Sequence, residues 1–181
     1  FCQPFTDGPL NNPDNPIEET YLQLIASAKR MLYITTPYYA VEESMQKSLC
    51  IAADAGVDVR LLLPGIPDHK FAYLAAQSHY GELLVHHVKI YIYEPGLLHG
   101  KTVLSDGEAA FVGSVNMDYR SFQLHFECGT VLYGVPAIEG LAEDIQRITD
   151  RSRRVTYQEW KSRPWYRKLL STLLRLFEMW M

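Results

Sequence analysis

The sequence predicts an α/β fold in which a mixed β-sheet carries helices on both faces. Over the first half of the chain, helical segments alternate with short apolar, β-branched runs, which is the spacing of a buried and largely parallel sheet. From residue 97 onward, short strands follow one another around an Asp-Gly turn, which adds antiparallel pairing. With 181 residues and 48% hydrophobic content, the chain is sized for a single domain over residues 1–181.

The first elements are defined by proline and by charge. Residues 1–16 are rich in proline and asparagine, which predicts an extended lead-in. A helix is predicted over 17–30, because Pro16 precedes it, acidic residues occupy its first turn and basic residues close it. The apolar and β-branched residues 31–36 then predict a strand that ends at a Thr-Pro-Tyr-Tyr segment.

Glycine and proline delimit the next elements. Gly56 stops a second helix, and the Val- and Leu-rich strand after it ends at Pro64-Gly65. Periodic apolar residues then predict a third helix and a further strand. These elements are a helix over 42–55, a strand over 57–63, a helix over 68–84 and a strand over 88–93.

A β-hairpin opens the second half of the chain. The Asp-Gly dipeptide at 106–107 lies between two short apolar runs, 102–104 and 109–112, and this is the strongest short-range hairpin signal in a sequence. Farther on, residues 127–133 predict a strand. Residues 136–152 predict the helix that follows it.

Charge is distributed unevenly along the chain. The formal net charge of −4 argues against a general nucleic-acid binder, so no nucleic-acid partner is expected. Residues 147–181 hold nine basic and three acidic side chains, a net of +6, while the preceding residues hold eight basic and eighteen acidic ones. Such a contrast suggests that the two parts have different neighbours.

The tail over residues 153–181 is basic and amphipathic, and it leaves two interpretations open. Its apolar residues recur at helical spacing with cations between them. Such a helix either caps the domain core or lies in the interface of an anionic membrane, with its cations near the headgroups. The apolar positions are Trp165, Leu169, Leu170, Leu173, Leu174, Leu176, Phe177 and Trp180.

Cysteine content and chain ends bear on the compartment. The three cysteines form no C-x-x-C pair and no zinc pattern, so reduced thiols in a cytosolic compartment are expected. No signal peptide is visible, and no apolar stretch is long enough to span a bilayer. Because the chain begins at Phe1 rather than Met, we expect it to be a piece of a longer protein.

Most of the reactive side chains that the sequence offers lie between residues 99 and 127. His99 and Lys101 are two residues apart, as are Ser114 and Asn116, so each pair is expected to project from one face of a strand. The hairpin would then bring an imidazole, an ammonium, a hydroxyl and an amide together, a set that suits a phosphodiester. Lys101, Ser114 and Asn116 can hold the non-bridging oxygens while His99 attacks phosphorus or passes a proton.

The same segment indicates chemistry without a metal or cofactor. It contains no Walker loop and no cluster of carboxylates for Mg²⁺. The pairs Asp68-His69 and His86-His87 lack suitably spaced partner ligands. Within the motif, Gly100 and Gly113 would allow a ligand or another backbone to approach closely.

The spacing of these residues matches a known signature. His-x-Lys-x₄-Asp-x₆-Gly-Ser-x-Asn is the signature of the phospholipase D superfamily, and residues 99–116 match every fixed position. The chain further resembles the C-terminal half of the bacterial cardiolipin synthases, which implies a phospholipase D-like fold that forms one half of a two-lobed enzyme. The segments that carry this resemblance are residues 28–30, 36–39, 55–60, 63–65 and 116–122.

The resemblance implies a phosphatidyltransferase on the cytoplasmic side of a bacterial cell membrane. Enzymes of this family have two motifs, and one histidine becomes a covalent phosphohistidine while the other protonates the leaving alcohol and deprotonates the attacking one. His99 would be this general acid/base, and Glu127 matches the glutamate that orients a catalytic histidine. The family transfers a phosphatidyl group from one phosphatidylglycerol to another and releases glycerol.

One copy of the full motif is present, so the chain is expected to supply half of an active site. Its mate is either an N-terminal half of the same protein, which we favour, or a second copy in a symmetric homodimer. Two other functions stay open. One is hydrolysis by a phospholipase D or nuclease-like enzyme, in which water replaces the lipid alcohol, and the other is a non-catalytic membrane-binding module.

Four further residues are candidates with divided interpretations. Tyr38 and Tyr39 follow a strand end and either line the lipid channel or serve as packing aromatics. His125 lies two residues before Glu127 and is a candidate for the substrate channel. Asp106 belongs to the motif and is counted with the catalytic residues, although its place in the turn predicts a carboxylate that caps it.

Overall fold

The computed structural model of the chain describes residues 1–10 and 15–175. Within these residues the strands are β1 (Cys2–Asp7), β2 (Met31–Thr35), β3 (Tyr39–Ala40), β4 (Asp58–Pro64), β5 (Lys89–Tyr93), β6 (Thr102–Ser105), β7 (Ala109–Gly113), β8 (Met117–Asp118), β9 (Glu127–Tyr133) and β10 (Ser152–Arg154). The helices are α1 (Pro16–Ser27), α2 (Glu43–Asp54), α3 (Lys70–Val85), α4 (Tyr119–Gln123), α5 (Ala137–Asp150), α6 (Tyr157–Lys161) and α7 (Trp165–Arg175).

Eight of these strands form one mixed sheet in the order β1-β9-β7-β6-β2-β4-β5-β10. β2, β4 and β5 are parallel, and the other neighbours are antiparallel. The short strands β3 and β8 pair separately, in parallel, and bring Tyr39 opposite Met117. The predicted mixed sheet is therefore confirmed.

Three successive leucines of β4 show why helices cover both faces of the sheet. Leu61 and Leu63 belong to the larger core, to which α1, α2 and α3 contribute, whereas Leu62 belongs to a smaller core with α5. None of the three is more than 2% exposed. Because successive strand residues face opposite sides of a sheet, a continuous apolar strand needs cover on both sides.

The two edges of the sheet differ most from the sequence prediction. Part of the extended lead-in is a strand, β1, which pairs with β9 along its whole length. At the opposite edge, the helix predicted to reach residue 152 ends at Asp150, and Ser152–Arg154 pair with β5. Both edge strands depend on a partner that is distant in sequence, so local signals do not reveal them.

The basic tail packs on the domain and also presents an apolar face. In α6, Trp160 Nε1 donates to Gln77 O of α3 at 2.9 Å, and in α7, which packs against α3, Ser171 is 2% exposed. The apolar side chains of α7 that remain exposed are Trp165, Tyr166, Leu169, Leu170 and Leu173. The predicted apolar positions Leu176, Phe177 and Trp180 lie outside the described residues. Across 1–10 and 15–175, no helix combines the length and apolar character needed to cross a membrane.

A charged cluster links the three parallel strands. Asp58 of β4 accepts hydrogen bonds from Arg60 at 2.7 and 2.9 Å, from the Tyr33 hydroxyl at 3.0 Å and from Lys89 Nζ at 2.7 Å. Burial works to raise the pKa of Asp58, but these hydrogen bonds outweigh it and lower the pKa to about 2. The ionised carboxylate therefore stabilises the junction of β2, β4 and β5.

We expect Asp58→Asn to lower the free energy of unfolding by about 1–2 kcal/mol at pH 7, since the neutral amide loses the charge-assisted part of these bonds. The folded-state pKa is below the unfolded one, so this stabilisation is present above about pH 4 and lost as the pH falls towards 2. Urea unfolding curves at pH 7 and pH 2.5 measure both effects.

The matched control is Asp144→Asn, which removes an exposed carboxylate that pairs only with Arg147 at 3.2 Å among the described contacts. Exposed pairs of this kind contribute little, so a change below about 0.5 kcal/mol is expected. Equal losses in the two variants, or a difference between wild type and Asp58→Asn that does not shrink in acid, would contradict the role of Asp58.

Candidate active site

The open end of the β6–β7 hairpin carries the motif. Gly113 N donates to Lys101 O at 3.2 Å, but the next amide, Ser114 N, donates to Cys128 O of β9 at 2.9 Å. The ladder between the two strands therefore ends at Lys101, and His99 precedes the strand. The prediction that His99 and Lys101 project from one strand is wrong for this reason, and Ser114 likewise follows β7 rather than lying in it.

Gly113 permits a close backbone approach, as the sequence predicted. A Cβ at this position would lie 2.5 Å from Cys128 O and 2.8 Å from Gly129 Cα, so a side chain would push β9 away. At Gly100 the nearest atom would be Thr35 Cγ2 at 3.5 Å, an ordinary contact. Another backbone segment therefore approaches Gly113 closely, and the described residues bring none as close to Gly100.

Ser114 and Glu127 form the best-connected pair of the site. The Ser114 hydroxyl donates to Glu127 Oε2 and accepts from Cys128 N at 3.0 Å. The other carboxylate oxygen of Glu127 lies 3.7 Å from His125 Nδ1, and the Glu127 side chain is 8% exposed. Glu127 thus joins Ser114 and His125, and the described hydrogen bonds include none in which His99 donates to Glu127.

Lys101 is held beside its motif partner. Its Nζ donates to the carbonyl oxygen of His99 at 2.9 Å. Burial lowers the pKa of Lys101, although the negative charges of Glu127, Asp68 and Asp118 oppose that shift. These three carboxylates are close enough to favour the charged form of the ammonium, so Lys101 interacts electrostatically with the acidic groups around the hairpin end.

Asn116 lies in the segment between β7 and β8, next to Ser121 of α4. Its Nδ2 donates to the Ser121 hydroxyl at 3.1 Å, while Oδ1 is buried and makes no hydrogen bond among the described residues. A buried amide oxygen without a partner is costly. Half a turn about the last side-chain bond would let Oδ1 accept from Ser121 and direct Nδ2 to an anion.

A cavity of about 350 Å³ adjoins these residues, and we refer to it as the motif cavity. Tyr38, Tyr39 and His125, the predicted channel residues, all lie on its wall. Tyr38 also contacts the ring of His99, with centroids 6.3 Å apart, and its hydroxyl donates to Asp68. The remaining wall residues are Ala40, His69, Lys70, Phe71, Ala72, Ala75, Asn116, Asp118, Arg120 and Ser121.

Asp106 lies at the closed end of the hairpin, away from the motif histidine. Its φ of 54° and the φ of 73° at Gly107 are those of a tight hairpin turn with two left-handed residues. Its carboxylate accepts from the amides of Lys29 and Arg30, each at 2.8 Å, and of Met31 at 3.0 Å. These contacts tie the turn to the α1–β2 connection, which is a structural task.

Sequence reasoning missed Asp68, Lys70, Asp118 and Arg120 as neighbours of the motif. Asp68 precedes α3 and accepts from the Tyr38 hydroxyl, Lys70 begins α3, Asp118 ends β8 and Arg120 lies in α4. In the sequence, residues 116–122 indicate only a family resemblance, and no local signal links α3 to the hairpin. In the part of the chain that the structure describes, no group of three or more His, Cys, Asp or Glu side chains could hold a metal ion.

Solved structures share this fold. The chain superposes with a TM-score of 0.78 on a phosphatidylserine synthase from Haemophilus influenzae, at 17% identity, covering 99% of this chain and 48% of that one. Nuc of Salmonella typhimurium, a phospholipase D family member, gives a TM-score of 0.71 at 20% identity, covering 86% of this chain and 98% of that one. Both likenesses concern the fold.

Sequence relatives lead to the family. A cardiolipin synthase of Geobacillus kaustophilus is 39% identical over 160 residues, which is 88% of this chain and 32% of that protein. The major cardiolipin synthase ClsA of Bacillus subtilis is 36% identical over 171 residues, 94% of this chain and 35% of that protein. The chain thus spans about a third of the length of these relatives. Residues 21–170 match the family described as cardiolipin synthase, PLD-like domain, and the chain belongs to that family.

Proposed function

We propose that this chain is one catalytic half of a phosphatidyltransferase that makes cardiolipin from two molecules of phosphatidylglycerol. The observation that carries the proposal is a complete motif, His99 to Asn116, whose His, Lys, Ser and Asn lie at the open end of a hairpin in a chain of the cardiolipin synthase family. Relatives over nearly the whole chain bear the name cardiolipin synthase. Neither a metal nor a cofactor is part of the proposed chemistry.

The first step transfers the phosphatidyl group to the enzyme. A histidine nitrogen of the second motif attacks phosphorus, and the bond from phosphorus to the glycerol oxygen breaks. His99 donates a proton to that oxygen, so free glycerol leaves. Lys101 and Asn116 stabilise the charge that develops on the non-bridging oxygens, because an ammonium and an amide both donate hydrogen bonds.

The second step releases the product. The terminal hydroxyl oxygen of another phosphatidylglycerol bonds to phosphorus, the phosphorus–nitrogen bond breaks and His99 accepts the hydroxyl proton. Glu127, held by Ser114, stabilises positive charge that forms on nearby imidazole groups. The same residues serve hydrolysis if water takes the place of the lipid alcohol, so the acceptor decides the reaction.

The second motif is supplied either by another domain of the same protein or by a second copy of this chain. Large apolar side chains surround the hairpin end without cover: Leu97, Val112, Leu124 and Phe126 are 64%, 40%, 51% and 64% exposed. Uncovered apolar surface of this kind is typical of an interface. A second motif-bearing domain seated there would bring its histidine towards His99.

We place the assembled enzyme on the cytoplasmic side of a bacterial cell membrane. The exposed apolar face of α7 includes Trp165 and Leu169, and Arg167 lies between them. Apolar residues in the lipid boundary with cations near anionic headgroups are the pattern of an interfacial helix. Phosphatidylglycerol is anionic, so the surface that binds the helix also holds the substrate.

The proposal predicts the products formed by the enzyme assembled with both motifs. Incubation with vesicles of phosphatidylglycerol should yield cardiolipin and free glycerol in equal amounts, measured by lipid mass spectrometry and a glycerol assay. Phosphatidic acid with glycerol and no cardiolipin would indicate hydrolysis and would refute the proposal. Absence of turnover by the assembled enzyme would favour a non-catalytic membrane-binding module.

A phosphodiesterase that works as a symmetric dimer is the second candidate. It is favoured by the fold match to Nuc, a chain that this one covers almost completely. Light scattering on a size-exclusion column separates the two arrangements. A stable dimer of this chain that hydrolyses a generic phosphodiester supports the second candidate, and a monomer without such turnover supports the need for another domain.

A further inference from the structure

The motif cavity brings basic side chains from three separate segments to one place. Lys70 begins α3, Arg120 lies in α4 and His125 lies between α4 and β9, and all three line the cavity. The first turn of α3 also lines the cavity, so the positive end of its dipole adds to the charges of Lys70 and Arg120. Nothing in the proposed chemistry at His99 uses this concentration of positive charge.

Asp118 also lines the cavity, but its carboxylate is already engaged. It accepts from Ser121 N at 2.6 Å and thereby caps α4. Burial is the largest influence on this carboxyl group and raises its pKa. Asp118 therefore orients α4 and, with it, Arg120. An anion in the cavity would lie near a carboxylate whose charge is partly balanced by the hydrogen bond from Ser121 N.

The proposed reaction requires a second phosphate close to the reacting one. The acceptor phospholipid attacks through the terminal hydroxyl of its glycerol, and its own phosphate lies at the other end of that three-carbon unit. With the reacting phosphorus at the motif, the second phosphate must lie one glycerol unit away. The cavity is positioned for it, because its lining includes Asn116 of the motif and Tyr38, whose ring centroid lies 6.3 Å from that of His99.

We propose that the motif cavity binds the glycerol phosphate headgroup of the acceptor phospholipid, with Arg120 as the main ligand of its phosphate and Lys70 and His125 beside it. This inference rests on the proposed function and names the acceptor position of the same site. A guanidinium can donate two parallel hydrogen bonds to a phosphate, which a single ammonium cannot. Arg120 is thus a specificity-determining residue that selects a phosphate-bearing alcohol over water or a neutral one.

A competition between two acceptors tests the proposal. The enzyme assembled with both motifs is given vesicles of phosphatidylglycerol and an equal amount of 1-O-alkylglycerol, which has the same terminal diol and no phosphate. The measured quantity is the ratio of cardiolipin to phosphatidyl-alkylglycerol. Wild type should favour cardiolipin, and Arg120→Ala should lower the ratio at least fivefold. Because both products come from the same molecules of enzyme, partial unfolding lowers both and leaves the ratio unchanged.

Arg147→Ala is the matched control. It removes the same charge as Arg120→Ala, but Arg147 lies on α5 and its side chain is 68% exposed. An unchanged ratio in Arg120→Ala, or an equal fall in Arg147→Ala, would overturn the inference. If wild type makes no cardiolipin, the proposed function fails. Calorimetric titration of this chain with sn-glycerol 3-phosphate then tests separately whether the motif cavity binds a glycerol phosphate. Binding weakened at least fivefold by Arg120→Ala supports it, and equal binding by the two variants overturns it.

Discussion

Substitution of His99 by alanine should abolish phosphatidyl transfer by the enzyme assembled with both motifs, with a loss of turnover of at least about a thousandfold. The methyl group can neither protonate the leaving glycerol oxygen nor accept the proton of the attacking hydroxyl. Both half-reactions therefore lose their proton transfer. Glycerol release and cardiolipin formation, followed over time in phosphatidylglycerol vesicles, measure the two steps separately.

His86→Ala is the matched control for this substitution. His86 lies at the C-terminal end of α3, whereas the motif cavity is lined by residues near the beginning of that helix, and its Nδ1 lies 2.7 Å from Asp54 Oδ2. Removing an exposed hydrogen bond of this kind should leave turnover within about threefold. Turnover by His99→Ala within about tenfold of wild type would exclude His99 from the proton transfers.

Asp106→Ala should destabilise the fold by about 2–4 kcal/mol. Alanine removes an acceptor of three backbone amides, those of residues 29, 30 and 31, and leaves them without this partner. It also places a β-carbon at a φ of 54°, which Asp and Asn tolerate better. Urea unfolding of the variant, compared with wild type, measures the loss.

Asp106→Asn separates the structural role of this residue from a catalytic one. The amide keeps one acceptor oxygen and the tolerance for positive φ, so about half of the stability loss should remain. Turnover per folded molecule should fall far less than in His99→Ala, because the turn lies at the opposite end of the hairpin from His99. A loss of turnover as large as that of His99→Ala, in a folded variant, would assign Asp106 to the chemistry.

The order and type of the central elements could be read from local sequence. The strand prediction 127–133 coincides with β9, and the Asp-Gly turn at 106–107 joins β6 to β7. Each has a local cause: a run of β-branched and apolar residues, 130–133, in the first case and two residues that accept positive φ in the second. The edge strands β1 and β10 escaped prediction because their hydrogen bonds go to segments far along the chain.

Residue spacing alone could not predict how the site is arranged. Two-residue spacing suggested that His99 and Lys101 share a strand face, but the ladder ends when Ser114 N turns to β9. The hydrogen bond from Ser114 to Glu127 links the end of the hairpin to β9. The motif cavity is formed where the segment after the hairpin meets α3 and α4. Such contacts form only when the sheet is assembled, since the residues involved are distant in sequence.

The sequence by itself determined the family, the mixed α/β class and the identity of the motif, because those depend on residue type, spacing and local periodicity. Only the tertiary structure decided which side chains surround that motif. In the folded chain, Arg120 and Lys70 line the same cavity, and Asp106 lies at the opposite end of the hairpin from His99. The physical reason is that the binding site is formed by residues from several chain segments. Strand pairing and helix packing bring these segments together, and no single segment determines that arrangement.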